Sequence, residues 1–278
     1  MKKSIIYAFC ILAIALVACE PIEERDSIGG AISADQLDIK ATPIVVNGKN
    51  SNMLVLENHS PVNSFWNCSP YLSTSSSDTV LLVIAGNNTI KFTGLNPDGS
   101  IIKKELIVSV DELTFPVPPE WGYLCGSGEK SWVWDNTASS CFGNGGYKGN
   151  VSPGWWTVQV SGMDEQAAGE GDGASMVFSL DGSSLIKKTT TNITTKGSFK
   201  FDMSQITKDD GGNIWSKGKL TTTGVTVLAG ISINENKKPV NEYDILSLDN
   251  DKMVLSYHAQ GTGSWGEAWF WLFRKADN

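Results

Sequence analysis

The chain has 278 residues, with 22 Lys and Arg against 30 Asp and Glu, a formal charge of −8, and 41% hydrophobic residues. That acidity, with no basic cluster to offset it, argues against nucleic acid and anionic surfaces as partners of the folded part. With two histidines and no C-x-x-C pair the sequence offers no zinc site, and no motif in it points to a cofactor.

Lys2 and Lys3 precede an almost unbroken apolar run, Ile5 to Val17, too short for a membrane-spanning helix, which needs about 20 residues. Leu16-Val17-Ala18-Cys19 follows and resembles the lipobox of bacterial lipoprotein signal peptides. The resemblance implies a signal peptide over residues 1–18, cleavage before Cys19 and lipidation of Cys19. Several acyl chains on one cysteine, at roughly 0.8 kcal/mol per buried methylene, anchor a protein stably in outer-membrane lipid. Glu20, Glu23, Glu24 and Asp26 follow. They resemble the surface-export signal of lipoproteins in Gram-negative bacteria with starch-utilisation-like systems, which implies exposure at the cell surface. An ordinary solvated tether on the periplasmic side is the alternative. Residues 19–33 read as a flexible tether.

Cys68, Cys125 and Cys141 remain. Their odd number allows at most one disulfide. Cys125 and Cys141 are closest in sequence, and a bridge between them is permitted outside the cytoplasm.

Residues 34–113 read as strands throughout: Val-, Ile-, Leu- and Thr-rich runs separated by Asn47-Gly48, Gly86-Asn87-Asn88 and Asn96-Pro97-Asp98-Gly99. Short strands with no amphipathic helix predict an antiparallel sandwich. The segment from Gly86 to Val110 resembles the last hairpin of a PKD-like, immunoglobulin-type domain, with Trp66 in the place of its buried central tryptophan. The family's aspartate- and glycine-rich loop is missing, and Cys68-Ser69-Pro70 stands near its place. Such modules are usually spacers.

Pro116-Val117-Pro118-Pro119 marks the clearest boundary, and residues 114–129 read as a proline-rich linker. Residues 130–278 again read as β. Expected strands are Ser131–Trp134, Trp156–Val160, Ser175–Leu180, Ser184–Thr190, Lys196–Asp202, Trp215–Thr221, Val225–Ile231, Glu242–Leu248, Lys252–His258 and Glu267–Arg274. Asp181-Gly182 and Asp249-Asn250-Asp251 are hairpin turns between apolar runs. This many antiparallel strands fit a closed barrel or a jelly roll. The closing segment, Tyr243 to Leu255 followed by Trp269-Phe270-Trp271-Leu272-Phe273-Arg274, resembles the last hairpins of secreted lipocalin-like domains, which favours the barrel. The opening Lys130-Ser131-Trp132-Val133-Trp134-Asp135 resembles domains that follow PKD-like modules in such lipoproteins.

No pattern announces catalysis. Asp135, Asp164, Glu165, Glu170, Asp172 and Glu267 are the carboxylates of this half that a glycosidase pair would draw on, and no strand motif gathers two of them. His258 has no G-x-S-x-G elbow to serve, and Gly169-Glu170-Gly171-Asp172-Gly173 lacks the ligand spacing of a calcium loop. The aromatic residues are more informative. Strand alternation assigns Trp132, Trp269 and Trp271 to the core. Trp265 stands in a glycine-rich loop, Tyr147 follows Gly143-Asn144-Gly145-Gly146, and adjacent Trp155 and Trp156 point to opposite faces if extended. Trp155, Trp156, Trp265, Tyr147 and Asn144 are therefore the candidate ligand-binding residues, offering rings to stack on a sugar beside an amide for its hydroxyls. The same rings equally suit a plug for the barrel mouth or packing between domains.

The resemblances together imply a cell-surface lipoprotein that captures polysaccharide without cleaving it, beside an outer-membrane transporter and its partner proteins. A jelly-roll glycoside hydrolase, a structural or adhesive lipoprotein, and a binder of apolar ligands are the alternatives.

Overall fold

The computed structural model describes residues 30–277. Cys19, the expected leader and most of the expected tether lie outside them. Among the described residues no helix is long and apolar enough to cross a membrane.

The N-terminal part contains β1 (Ile39–Val46), β2 (Lys49–Asn58), β3 (Asn63–Asn67), β4 (Leu72–Ser73), β5 (Ser77–Leu81), β6 (Gly86–Leu95) and β7 (Ile101–Val110). Asn47 and Gly48 both take positive φ, as a two-residue hairpin loop between right-twisted strands requires. The strands form one sheet in the order β1-β2-β5 and another in the order β4-β3-β6-β7. Leu54, Leu56, Leu82, Ile90 and Phe92 fill the core they share with Trp66. Trp66 is fully buried, edge-on to Phe92 at 4.5 Å, and its indole N–H donates to the Ser75 carbonyl at 3.1 Å.

Residues 114–129 are more than a linker. Asn52 clamps the Phe115 backbone through both its amide groups. Beyond the prolines a short helix, α1 (Glu120–Cys125), buries Trp121, Leu124 and Cys125 in the core of the C-terminal part. A single helical turn and a half shows no sustained period of 3.6, so its face was invisible in the pattern.

The C-terminal part begins with β8 (Glu129–Trp134), β9 (Phe142–Gly146) and β10 (Trp156–Val158), then the one-turn helix α2 (Met163–Gln166). It continues with β11 (Ser175–Ser179), β12 (Ser184–Lys188), β13 (Thr194–Asp202), the small hairpin β14 (Thr207–Lys208) and β15 (Ile214–Ser216), and β16 (Gly218–Thr223). The short pair β17 (Ile231–Ser232) and β18 (Lys238–Pro239) precedes β19 (Glu242–Leu248), β20 (Lys252–His258) and β21 (Glu267–Lys275). Eight antiparallel strands close on themselves in the order β8-β11-β12-β13-β16-β19-β20-β21 and back to β8. Closure into one sheet removes the jelly-roll alternative.

β21 makes the closure. Its C-terminal half pairs with β8, Phe273 opposite Trp134, and its N-terminal half pairs with β9, Glu267 opposite Gly146 and Trp271 opposite Phe142. β10 then adds to the far edge of β9, Trp156 opposite Asn144. Trp269, Trp271 and Phe273 point into the barrel, whereas Ala268 and Phe270 point outward into a second apolar cluster with Tyr147, Trp215 and Leu246. The barrel axis is occupied by the chain's own side chains, among them Trp132, Trp271, Tyr243, Phe142 and Phe178, as expected for a small barrel. The expected burial of Trp132, Trp269 and Trp271 is observed.

Three strand expectations need correction. Val225 to Ala229 is not a strand. It folds into the barrel, where the Ala229 carbonyl accepts the Trp271 indole N–H at 2.9 Å and the Ala229 amide donates to Glu170 Oε2. An apolar run bounded by glycines looks the same in either role. The expected strand Trp215–Thr221 is split between two sheets, with Trp215 on β15 and residues from Gly218 on β16. Phe142–Gly146, where no strand is expected, is strand β9 despite its glycines.

The two parts touch at the end of the barrel where β8 begins. Asp181 accepts from Asn67 Nδ2 at 2.8 Å and pairs with Lys91 at 2.7 Å, Ser183 donates to the Pro70 carbonyl, and Tyr71 lies edge-on to Trp121.

The cysteine pairing is also corrected. Cys68, Cys125 and Cys141 are all free and buried. Cys125 is the buried last residue of α1, and the Cys141 thiol faces the Val158 carbonyl at 3.6 Å. Burial pushes both thiols up to about 12.

Candidate functional site

At the opposite end of the barrel three connections are knitted together: residues 147–155 between β9 and β10, the β14–β15 hairpin, and residues 259–266 between β20 and β21. The Tyr147 amide donates to the Gly266 carbonyl at 2.7 Å, and the Trp265 amide donates to the Tyr147 carbonyl at 2.8 Å. Trp215 donates its indole N–H to the Asn150 carbonyl at 2.7 Å, and the Ser264 hydroxyl donates to Asp210 at 2.5 Å. Segments more than a hundred residues apart thus form one surface.

Trp265 is the most exposed of the rings on it, at 60% of its full area. Its indole lies over the backbone of Gly146 and Gly149. A methyl group at Gly149 would stand 2.6 Å from three atoms of the ring, and one at Gly146 would stand 2.6 Å from Cε3. One face of the ring therefore rests on bare backbone while the other is open to water. Trp265 also holds φ at 62°, the left-handed region, where a bulky side chain is an outlier. Such strain costs of order 1–3 kcal/mol and persists when the surroundings impose it. Here the two backbone bonds to residue 147 do so.

Trp155 and Trp156 are exposed at 54% and 40%. Trp156 faces the barrel mouth, with its ring edge-on to Phe142 at 6.2 Å and to Trp269 at 6.0 Å. Trp155 makes a backbone bond to the Asn144 carbonyl at 3.0 Å. Asn144 is the hinge of this corner. Its side-chain oxygen accepts the Trp156 amide at 3.0 Å, and its nitrogen donates to Glu267 Oε1 at 2.6 Å. Asn234 donates to the same oxygen at 2.6 Å. Below, the indole nitrogen of Trp269 is buried without a hydrogen-bond partner.

Tyr147 departs from its expected place. It is 8% exposed, its ring centroid 3.9 Å from that of His258 and edge-on to Trp215 at 5.0 Å. It covers the outward side of β21 and is no open platform. Burial raises its phenol above the ordinary value, and the nearby Asp244 charge adds to this.

The carboxylates considered for catalysis are dispersed. Glu170 is enclosed with Lys187 at 2.7 Å, Asp135 is tied to Thr137 and Lys252, and Asp164 accepts the amides of Gly169 and Gly171. Glu267 stands beside Asn144. Among the described residues no group of three or more His, Cys, Asp or Glu side chains is placed to hold a metal ion.

The structure thus brings Asn144, Tyr147, Trp155, Trp156 and Trp265 to one end of the barrel. Gly146, Gly149, Asn150, Asn234 and Glu267 build the same surface without having been singled out for it. The spacing of Gly143, Gly145, Gly146 and Gly149 was the available signal, since flat packing of a ring needs missing side chains. No family model matches the chain, and no curated protein matches it.

Proposed function

We propose that this protein is a surface-anchored lipoprotein that binds polysaccharide and does not cleave it. In this reading Cys19 carries the lipid, the N-terminal part is a PKD-like, immunoglobulin-type spacer, and the barrel is a lipocalin-like domain whose far end holds the glycan for a neighbouring transporter complex. The observation that carries the reading is the Trp265 ring, laid flat on two glycines with its outer face open. A sugar ring offers apolar C–H faces to such a surface, and its hydroxyls find Asn144, Asn234 and Glu267 nearby. A barrel filled by its own side chains speaks against an apolar ligand in its interior.

Affinity electrophoresis in gels containing a panel of neutral and acidic polysaccharides tests this. Retardation by at least one polymer is expected, with loss of most of the retardation in Trp265→Ala. A stacking contact of order 1 kcal/mol corresponds to roughly a fivefold change in affinity. Absence of retardation across the panel would overturn the proposal, and loss of polymer viscosity would instead assign hydrolysis.

A further inference from the structure

A groove of about 680 Å³ runs along the rim of the barrel beside the Trp265 loop. Asp244 of β19, Lys219 of β16 and His258 of β20 line it, with Glu235, Asn241 and Gln260 among the residues around them. Asp244 alternates with the inward-facing Tyr243 and Ile245, which turns its side chain to the outside of the barrel. Even so it is only 2% exposed.

The carboxylate is poorly served there. Lys219 Nζ lies 3.3 Å from Oδ1 and His258 Nε2 lies 3.6 Å from Oδ2. Both are ion-pair contacts and neither is a hydrogen bond, and Oδ1 has no hydrogen-bond partner. Ser256, directly across the strand pair from Asp244, has a buried hydroxyl that is also unpartnered. Buried polar atoms in native proteins are hydrogen-bonded, and a carboxylate removed from water needs donors. Ser256 lies outside the groove, so it is the Asp244 carboxylate alone that stands short of donors in the wall of a groove large enough for a drug-sized molecule.

Charge narrows the occupant. A cation approaching Asp244 meets Lys219, already in place, and Lys238 on the rim. An anion meets Asp244, Glu235 and Glu242. Donors and acceptors of both signs around one volume suit a neutral molecule rich in hydroxyl groups, each of which donates and accepts. The groove also adjoins the Trp265 surface: His258 stacks on Tyr147, whose backbone is bonded to Trp265 and Gly266.

We infer that this groove is a saccharide subsite that takes a neutral sugar unit, with Asp244 accepting from its hydroxyls, Lys219 and His258 donating to them, and Trp265 stacking a neighbouring unit. The inference rests on the glycan-binding reading and extends it from the tryptophans to a polar groove.

The test uses the full chain and the polysaccharide that retards it most, together with the neutral trisaccharide cut from that polymer. Calorimetric titration with the trisaccharide is compared for the wild type, Asp244→Asn and Gln260→Trp. Gln260 is exposed, so Gln260→Trp fills the groove without touching the core and decides the matter if Asp244→Asn fails to fold. Asp244→Asn is expected to lose affinity about tenfold or more, as removal of a charged hydrogen-bond acceptor does, and Gln260→Trp to lose it by occupying the volume of the groove. If the trisaccharide fails to bind the wild type, or binds both variants as well as the wild type, the subsite is overturned while glycan binding by the tryptophans stands. If no polymer retards the wild type, the glycan reading itself has failed, and the subsite falls with it.

Discussion

The indole of Trp265 lies flat over the Cα of Gly149, close enough that a methyl group there would stand 2.6 Å from the ring. Gly149 does not have positive φ, so alanine is conformationally acceptable at that position. Gly149→Ala should therefore leave the barrel intact, lift the ring off its seat and reduce polysaccharide retardation nearly as far as Trp265→Ala. Retardation gels and a thermal melt check this. The melt should shift by no more than a few degrees, in keeping with a surface change of about 0.5 kcal/mol. Unchanged retention would mean that the seating of the ring is irrelevant to binding.

Tyr147 and Trp155 separate packing from exposure. Tyr147→Ala removes a ring enclosed by His258 and Trp215 and uncovers the outward face of β21. A loss of roughly 2–4 kcal/mol is expected, in the range of buried large-to-small changes. Trp155→Ala removes an exposed ring and should change stability by about 0.5 kcal/mol or less. Chemical denaturation of both variants measures the contrast.

The thiols at 68, 125 and 141 should be inert in the native protein. Burial raises each to about 12, so the thiolate that reacts with alkylating agents is scarce at neutral pH. Mass-spectrometric mapping after a short pulse of iodoacetamide should find these positions unmodified in native protein and modified in denaturant. Recovery of a peptide pair joined through Cys125 and Cys141 would contradict the free thiols.

Acid should loosen the contact between the two parts. Asp181 is held below the ordinary carboxylate range first by the Lys91 bond, with burial opposing and Asn67 assisting. A group whose pKa is lowered by folding contributes stability above its unfolded value, near 3.9, and loses it as pH falls through the lower folded value. Wild-type protein should therefore lose thermal stability below about pH 4 more steeply than Asp181→Asn. The effect should be modest, because the side chain is 53% exposed and solvent screens the pair. Parallel melts of wild type and variant from pH 3 to pH 7 read it directly.

Much of the fold was legible because period-2 patterning and turn residues are local. Asn47-Gly48 has the two positive φ values its sequence demands. Tyr243 to Leu255 is a strand, turn and strand, and the alternation of β21 correctly placed Trp269 and Trp271 inside. Where local pattern is ambiguous, the structure departs from it. Val225 to Ala229 has the composition of a buried strand and serves as filling, and Gly143 to Gly146 has the composition of a loop and serves as a strand. In both cases the deciding partners, Trp271 and Glu170 for one and β21 for the other, are distant in sequence.

The sequence by itself determined the all-β character, most strand positions and the short list of aromatic residues worth attention, because alternation and turn chemistry operate over a few residues. Only the tertiary structure decided which of those rings face water. Burial is set by what packs against a ring from elsewhere in the chain: His258 and Trp215 enclose Tyr147, whereas Gly146 and Gly149 offer Trp265 bare backbone and leave its other face open. The pairing of β21 with both β8 and β9 likewise closed the barrel and brought residues 147–155 and 259–266 together, a meeting that no local pattern encodes.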